Sequence, residues 1–349
     1  ALMISPRLLD EWEEQERQDQ GTSLSTEERA AGKVEGAARP SNQPRLLRWF
    51  VDISEWDPSK AAWEMLLGSL TEERKKSVLR FRFVDDQKRA LVSTLLQKAV
   101  CAEATGIPYD QIEIGRTKGK KPYLLTPHST HGAPNFNFNV SHEGYYVAVA
   151  TENLCIVGMD ISAPPEVRSP LSPSLAAERY LQNFEDVCSA AEWAQIRRHP
   201  VEHQIAAFQR FWSLKEAFVK ARGDGLYFHP LSRVSFDFGA DPWGTSATAT
   251  LDGCRLNDWT FCMEKLEDHW FSVARAHPSA VCDQHGSFKG TLRCPVPVQA
   301  ELRAALDDVA PEFEKKAIAD LLPPGMLREY TVLGGNLLPT APSPDNSSF

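Results

Sequence analysis

The chain has 349 residues, 42% of them apolar, and a formal charge of −9. That length supports one large or two ordinary domains with a sizeable core, and the acidic balance argues against general affinity for nucleic acid or anionic membranes, so phosphate-binding cations would have to be local. The seven cysteines show no CxxC spacing and no adjacent histidine pair, which suits a reducing compartment rather than a disulfide frame or a zinc site.

Residues 1–45 mix Glu, Gln, Arg, Gly and Ser with few aromatics, a composition that buries too little surface to offset its ordering entropy. A disordered arm is expected there. Its acid-rich stretch from Leu9 to Glu14 is what a secretory or transit peptide avoids, and no run approaches the ~18 apolar residues of a membrane span. The expected address is the cytosol. Order is expected from a β-rich run at Arg48–Ile53, followed by helical patterns at Ala61–Leu70 and Asp85–Ala104, where Leu91, Leu95, Leu96, Ala99 and Val100 recur at helical spacing.

Short β-type runs follow at Ile112–Ile114, Pro122–Leu125, Phe136–Val140, Tyr145–Ala150 and Leu154–Ile161. After a Pro-rich stretch from Ala163 to Pro173 come helices near Ala190–Arg198 and Glu202–Arg222, then strands at Val234–Phe238, Trp259–Leu266 and Trp270–Arg275. Both halves thus run strand, helices, long helix, strands. This order predicts two similar α+β lobes, 46–152 and 153–277, with a ligand cleft between them, although no residue-level repeat is evident. In the extension from 278 to 349, Val298–Leu306 and Phe313–Leu322 have helical character and Leu338–Pro344 is expected to be disordered.

On a strand ending near Asp160, alternation puts Gly158, Asp160 and Ser162 on one face and Met159 and Ile161 on the other. An acid at a strand end is by itself more often a turn or cap residue than a ligand. In the long helix, Trp212, Glu216 and Lys220 form an i, i+4, i+8 row amid Phe208, Phe211, Leu214 and Phe218. A Glu four residues before a Lys is ordinarily a solvated pair, but here the aromatic density implies a partly buried setting in which unpaired charge is costly. Asp160 with Glu216 meets the needs of Mg²⁺, which takes one or two carboxylates plus phosphate oxygens and water.

Cations for a phosphorylated ligand stand in three clusters, Arg74-Lys75-Lys76, Lys88-Arg89 and Arg116 to Lys121; each alone is most simply a solvated face. The cluster around Gly119 lacks the GxxxxGK[ST] spacing of a Walker A loop. His142, between a strand and the Glu143-Gly144 turn, is either structural or a hydrogen-bond donor to phosphate, and a nearby anion would raise its pKa.

Taken together, Phe138-Asn139-Val140-Ser141-His142, Val157-Gly158-Met159-Asp160-Ile161 and Trp212-Ser213-Leu214-Lys215-Glu216 with Lys220 resemble the signature motifs of 4′-phosphopantetheinyl transferases. The resemblance is to the Sfp type and its larger eukaryotic members, and it covers roughly Arg48 to Ala276. It implies a pseudo-dimer of two α+β lobes that bind coenzyme A and Mg²⁺ at their junction, and transfer of the 4′-phosphopantetheine arm to a serine of an apo acyl or peptidyl carrier protein, releasing adenosine 3′,5′-bisphosphate. By the same resemblance, Asp160 and Glu216 hold Mg²⁺, Glu216 is the general base and Lys220 neutralises the pyrophosphate. Arg89, Lys121 and His142 would grip coenzyme A phosphates, with Arg116 and Lys76 assisting.

Many bacterial members carry a glutamate two residues after the motif aspartate; Ser162 stands there in this chain, so water is expected to replace a third protein ligand. Two other readings stay open: a metal-dependent phosphohydrolase, which would need more metal-directed side chains than are evident, and a non-catalytic protein that binds coenzyme A or a carrier. A single chain holding both lobes is expected to be a monomer, and its choice of carrier is not encoded in a short motif.

Overall fold

The computed structural model describes residues 46–335 apart from 118, 127–132, 165–172, 226–227, 283–285, 287 and 293–298. The expected N-terminal arm and the segment Leu338–Pro344 lie outside the described residues. Two sheets face each other across a shared apolar layer. The first has the order β12-β1-β5-β4, with β1 Arg48–Asp52, β4 Asn137–Glu143, β5 Tyr146–Glu152 and β12 Glu314–Lys315. The second has the order β6-β11-β10-β8-β7, with β9 beside β8; its strands are β6 Ile156–Ser162, β7 Val234–Asp237, β8 Ser246–Leu251, β9 Cys254–Arg255, β10 Trp259–Leu266 and β11 His269–Ala276. A separate hairpin pairs β2 Ile114–Arg116 with β3 Pro122–Leu124.

Phe50, Tyr146, Ala148 and Ala150 of the first sheet meet Val157, Met159, Ile161, Phe271 and Val273 of the second. Both faces of β5 and β6 are therefore buried, one against this layer and one against a helix. That explains their near-continuous apolar character. Helix α1 spans Lys60–Gly68, α2 Glu72–Leu79 and α3 Val84–Thr105, with α3 packed on β5 and β4. Helix α4 spans Pro173–Gln182, α5 Ala190–Arg197 and α6 Val201–Arg222, with α6 lying along β6 and β11.

The lobes repeat each other more closely than the sequence suggests. In each, the first strand pairs antiparallel with its sheet neighbour and carries the tripeptide Asp-Ile-Ser at its end, at Asp52-Ile53-Ser54 and Asp160-Ile161-Ser162. Helices α3 and α6 both have 22 residues and both stop at a left-handed glycine, Gly106 at φ 72° and Gly223 at φ 80°. Each glycine N–H closes back on the carbonyl four residues earlier, a termination a side-chained residue adopts only with strain.

Segments beyond 278 tie the lobes together. Helix α7, Gln299–Asp307, seats Leu302 and Leu306 against Cys155, and Phe313 enters the layer between the sheets. Strand β12 then pairs parallel with β1, and helix α8, Pro324–Val332, brings Tyr330 into the first lobe's core, where its hydroxyl accepts the Trp56 indole N–H at 2.9 Å. The helix expected over Phe313–Leu322 is instead this short strand followed by a 3₁₀ turn at Ile318–Leu321: residues with helical spacing serve a sheet edge because β1 offers unpaired backbone there. Helices α2, α4 and α8 and strand β8 went unforeseen. Among the described residues no helix is long and apolar enough to cross a membrane.

Candidate active site

Strand β6 has two unlike edges. One pairs with β11 along its length. Along the other, side chains of β4 stand in for a neighbouring strand: Asn137 Oδ1 accepts Val157 N–H at 3.0 Å, Asn139 Oδ1 accepts Met159 N–H at 2.9 Å and Ser141 Oγ accepts Ile161 N–H at 3.3 Å. Asn137 Nδ2 also donates to Cys155 O at 2.7 Å. The period of two on both strands makes this ladder possible, and it satisfies buried amides that would otherwise be left without partners. Lys121 Nζ completes it by donating to Val157 O and to Lys220 O, each at 2.7 Å, so one ammonium ties the edge of β6 to the last turn of α6.

The opposite face of β6 receives α6. A Cβ on Gly158 would stand 2.1 Å from Ala217 O and 2.2 Å from Ala221 N; the absent side chain lets the helix backbone rest on the strand. Next along the strand, Asp160 Oδ1 accepts from Lys220 Nζ at 2.7 Å and from Ser141 Oγ at 2.9 Å. Asp160 is fully buried, and its Oδ2 has no hydrogen-bond partner among the described residues. Ser162 then donates to Gln209 Oε1, and Gln209 Nε2 donates to the Tyr180 hydroxyl at 3.0 Å.

Glu216 lies one turn before Lys220 on α6 and is 9% exposed. Burial first, then the Asp160 carboxylate, push its carboxyl up to about 7, while the Lys220 ammonium pulls the other way. Its neighbour Lys215, about 100° further round the helix, points into the second lobe. There Lys215 Nζ meets Glu192 Oε2 at 2.9 Å with both side chains wholly buried, and also donates to Leu231 O and Val234 O. That pair pins α6 in rotation and leaves Glu216 within electrostatic reach of Asp160.

The sequence-derived cations are placed unequally. Lys220 is paired with Asp160 at 2.7 Å, and both lie near enough to Glu216 for their charges to act on its carboxyl. Lys121 does not face the cleft: it is 4% exposed and committed to backbone carbonyls, and burial, then the Lys220 charge, push its ammonium down to about 7. A direct grip on phosphate by Lys121 is thus replaced by support of the Lys220 turn. Arg89 Nη1 donates to Gly144 O and its Nη2 to Asp86 at 2.5 Å, holding α3 against the turn that follows His142. His142 is exposed on β4; desolvation, then the Lys220 and Arg89 cations, lower the pKa of its imidazole in the unliganded protein. Arg116 lies near Arg74 and donates to Lys120 O at 3.2 Å; Lys76 is exposed on α2.

The sequence motifs contain Asn139, Ser141 and Gly158 without revealing their tasks, and Asn137 and Gln209 lie outside them. A signal existed for the ladder: polar residues at every second position of an otherwise apolar strand, Asn137, Asn139 and Ser141.

Among the described residues no group of three or more His, Cys, Asp or Glu gathers as a metal site. What Asp160 and Glu216 offer is a pair of carboxylates, one with a buried oxygen that has no partner among the described residues. Such a donor set fits a hard cation completed by water and substrate oxygens and does not fit a soft-metal or two-metal centre.

Comparison with known proteins agrees with this architecture. Residues 54–154 match the family described as 4′-phosphopantetheinyl transferase, N-terminal, and residues 156–281 match the 4′-phosphopantetheinyl transferase superfamily. The chain belongs to the phosphopantetheinyl transferase family, and is an enzyme of that class. It is 32% identical over 250 residues, 70% of this chain and 79% of the relative, to the L-aminoadipate-semialdehyde dehydrogenase-phosphopantetheinyl transferase of Mus musculus. It is likewise 32% identical to a phosphopantetheinyl transferase of Thraustochytrium over 66% of this chain and 79% of the relative. A 4′-phosphopantetheinyl transferase of Bacillus pumilus is 33% identical over 47% of this chain and 63% of the relative.

Proposed function

We propose that this enzyme moves the 4′-phosphopantetheine arm of coenzyme A onto a serine hydroxyl of an apo carrier protein, with Mg²⁺ as cofactor and adenosine 3′,5′-bisphosphate as leaving product. The observation that carries the metal-dependent reading is the buried Asp160 Oδ2, left without a partner among the described residues beside a carboxyl whose proton is held near neutrality. Asp160 and Glu216 would hold the ion. When bound, Mg²⁺ supplies Lewis acidity and a fixed orientation to the pyrophosphate.

The chain's own residues do the rest. Glu216 accepts the serine proton, a task suited to a carboxylate because the attacking hydroxyl loses its proton late in a loose phosphoryl-transfer transition state. Lys220, already bonded to Asp160 Oδ1 and Ser141 Oγ, offers its remaining proton to the charge that builds on the leaving oxygens. Ser162 is turned to Gln209, so water is the expected occupant of the position a third acid would fill. Arg89 and His142, with Arg116 assisting, are the groups we expect to receive the phosphates of coenzyme A. We place the enzyme in the cytosol, a compartment compatible with the free thiols of its described cysteines, and read it as a monomer because a single chain holds both lobes.

Incubation with apo-carrier protein, coenzyme A and Mg²⁺ tests the proposal. A carrier mass gain of one phosphopantetheine arm, dependent on the metal, is the expected result. Coenzyme A breakdown without that gain would mean hydrolysis, and binding without either would mean a non-catalytic protein.

A further inference from the structure

The hydroxyl of Ser141 sits at the junction of the lobes, on β4 of the first lobe but bonded only to groups of the second in the contacts described. It accepts from Ile161 N–H at 3.3 Å and from Lys220 Nζ at 3.0 Å, and it stands 2.9 Å from Asp160 Oδ1. A backbone amide and an ammonium can only donate. The single hydroxyl proton is therefore directed to Asp160.

We propose that Ser141 is a positioning residue for transfer: its hydroxyl fixes the rotation of the Asp160 carboxylate, holding Oδ1 in the wall and presenting Oδ2 to the cation. The inference rests on the reading of Asp160 as a cation ligand. A carboxylate turns easily about its last torsion, which has broad minima. Lys220 on its flexible stem fixes one distance to Oδ1 but not the carboxylate plane. A second bond, from a hydroxyl anchored on a strand, removes that freedom, and Ser141 is itself buried and held by the Ile161 amide. Groups that orient metal ligands from behind typically matter about 10- to 100-fold in metal affinity or activity.

The test uses the full chain saturated with coenzyme A and no carrier, so that nothing turns over, with Mn²⁺ as the probe and its free signal read by electron paramagnetic resonance. Ser141→Ala is expected to weaken Mn²⁺ binding by about 10- to 100-fold, with metal-free affinity for coenzyme A little changed. In the transfer assay the half-saturating Mg²⁺ concentration should rise in parallel. Ser141→Thr, which keeps the hydroxyl, should restore both. Wild-type Mn²⁺ affinity in Ser141→Ala would overturn the inference; so would a threonine variant as defective as the alanine, since the loss would then belong to strand packing. If the unaltered protein binds no Mn²⁺ in the presence of coenzyme A, the cation reading of Asp160 fails, and the positioning role fails with it. Binding and transfer retained equally by unaltered protein and Ser141→Ala sink the positioning role alone.

Discussion

The two lobes begin alike and end differently. Each sends Asp-Ile-Ser out of its first strand and follows with a 22-residue helix closed by a left-handed glycine. In the first lobe Asp52 accepts from the N–H and hydroxyl of its own Ser54, at 2.9 and 2.6 Å, and lies 3.8 Å from Lys315 of the tail. Seven residues before Gly223 stands Glu216, while seven before Gly106 stands Ala99; three before each glycine stand Lys220 and Glu103. The helices also rest differently, α6 on β6 and β11 but α3 on β5 and β4. Opposite α6 the strand offers Gly158; the corresponding residue of β1 is Phe50, which fills the layer between the sheets. A chemical site therefore arises where the helix can settle on the first strand and carries the right pair of residues, and the first lobe serves as the wall.

The sharpest way to break this comparison is at Glu216. Glu216→Gln keeps the shape and removes the base, so kcat should fall by about 10²- to 10⁴-fold while coenzyme A affinity is largely kept, as steady-state kinetics and calorimetry can read. Near-normal turnover would leave the second lobe without its chemical distinction.

Next in size is the lysine eight residues before each glycine. Lys215→Met strands the buried Glu192 carboxylate and should cost about 3–5 kcal/mol in denaturant unfolding. The counterpart Lys98, half-buried over the Tyr109 ring at 4.7 Å, feels the Asp110 carboxylate but forms no ion pair among the described residues, and Lys98→Met should fall within about 1 kcal/mol of the parent. Equal losses would show that the two helices are anchored in the same way.

Gly158→Ala forces a methyl against helix backbone, an overpacking that should cost about 1–3 kcal/mol. It should also reduce transfer, because α6 carries Glu216 and Lys220 away from Asp160 as it lifts. A variant with unchanged melting and turnover would deny that the close approach matters.

The smallest effect is one of pH. Burial raises the Glu216 carboxyl to about 7 in the folded chain, above its value when unfolded, so folding takes up a proton. The stability this confers is complete below the unfolded value and is lost as pH rises through about 7. The melting temperature of the ligand-free protein should therefore decline from pH 5 to pH 8 more steeply than that of Glu216→Gln, which has no proton to lose. Parallel pH profiles would place the raised carboxyl elsewhere.

Much of this was legible in the sequence because it rests on period and spacing. Trp259–Leu266 and the 22-residue α6 were visible as alternation and as helical recurrence, and the placing of Gly158, Asp160 and Ser162 on one strand face follows from a period of two. What stayed hidden depends on partners distant in sequence. Lys121 looked like a phosphate ligand because its cluster is basic; its real partners, Val157 O and Lys220 O, are backbone atoms that no composition reveals. The order of elements shows two similar lobes, but their residue-level repeat stays hidden because it survives in a tripeptide, a helix length and a glycine end rather than in a run of identities. Strand β12 was misread because two residues pairing at an edge leave no periodic trace.

The most direct test of the shared cation is a Mn²⁺ titration of the coenzyme A complex with Asp160→Asn, Glu216→Gln and the double variant. Two acids on one ion predict a single ion per chain, strong loss in each single variant, and a double variant scarcely worse than either. Unaltered affinity in either single variant, or two ions per chain, would contradict it.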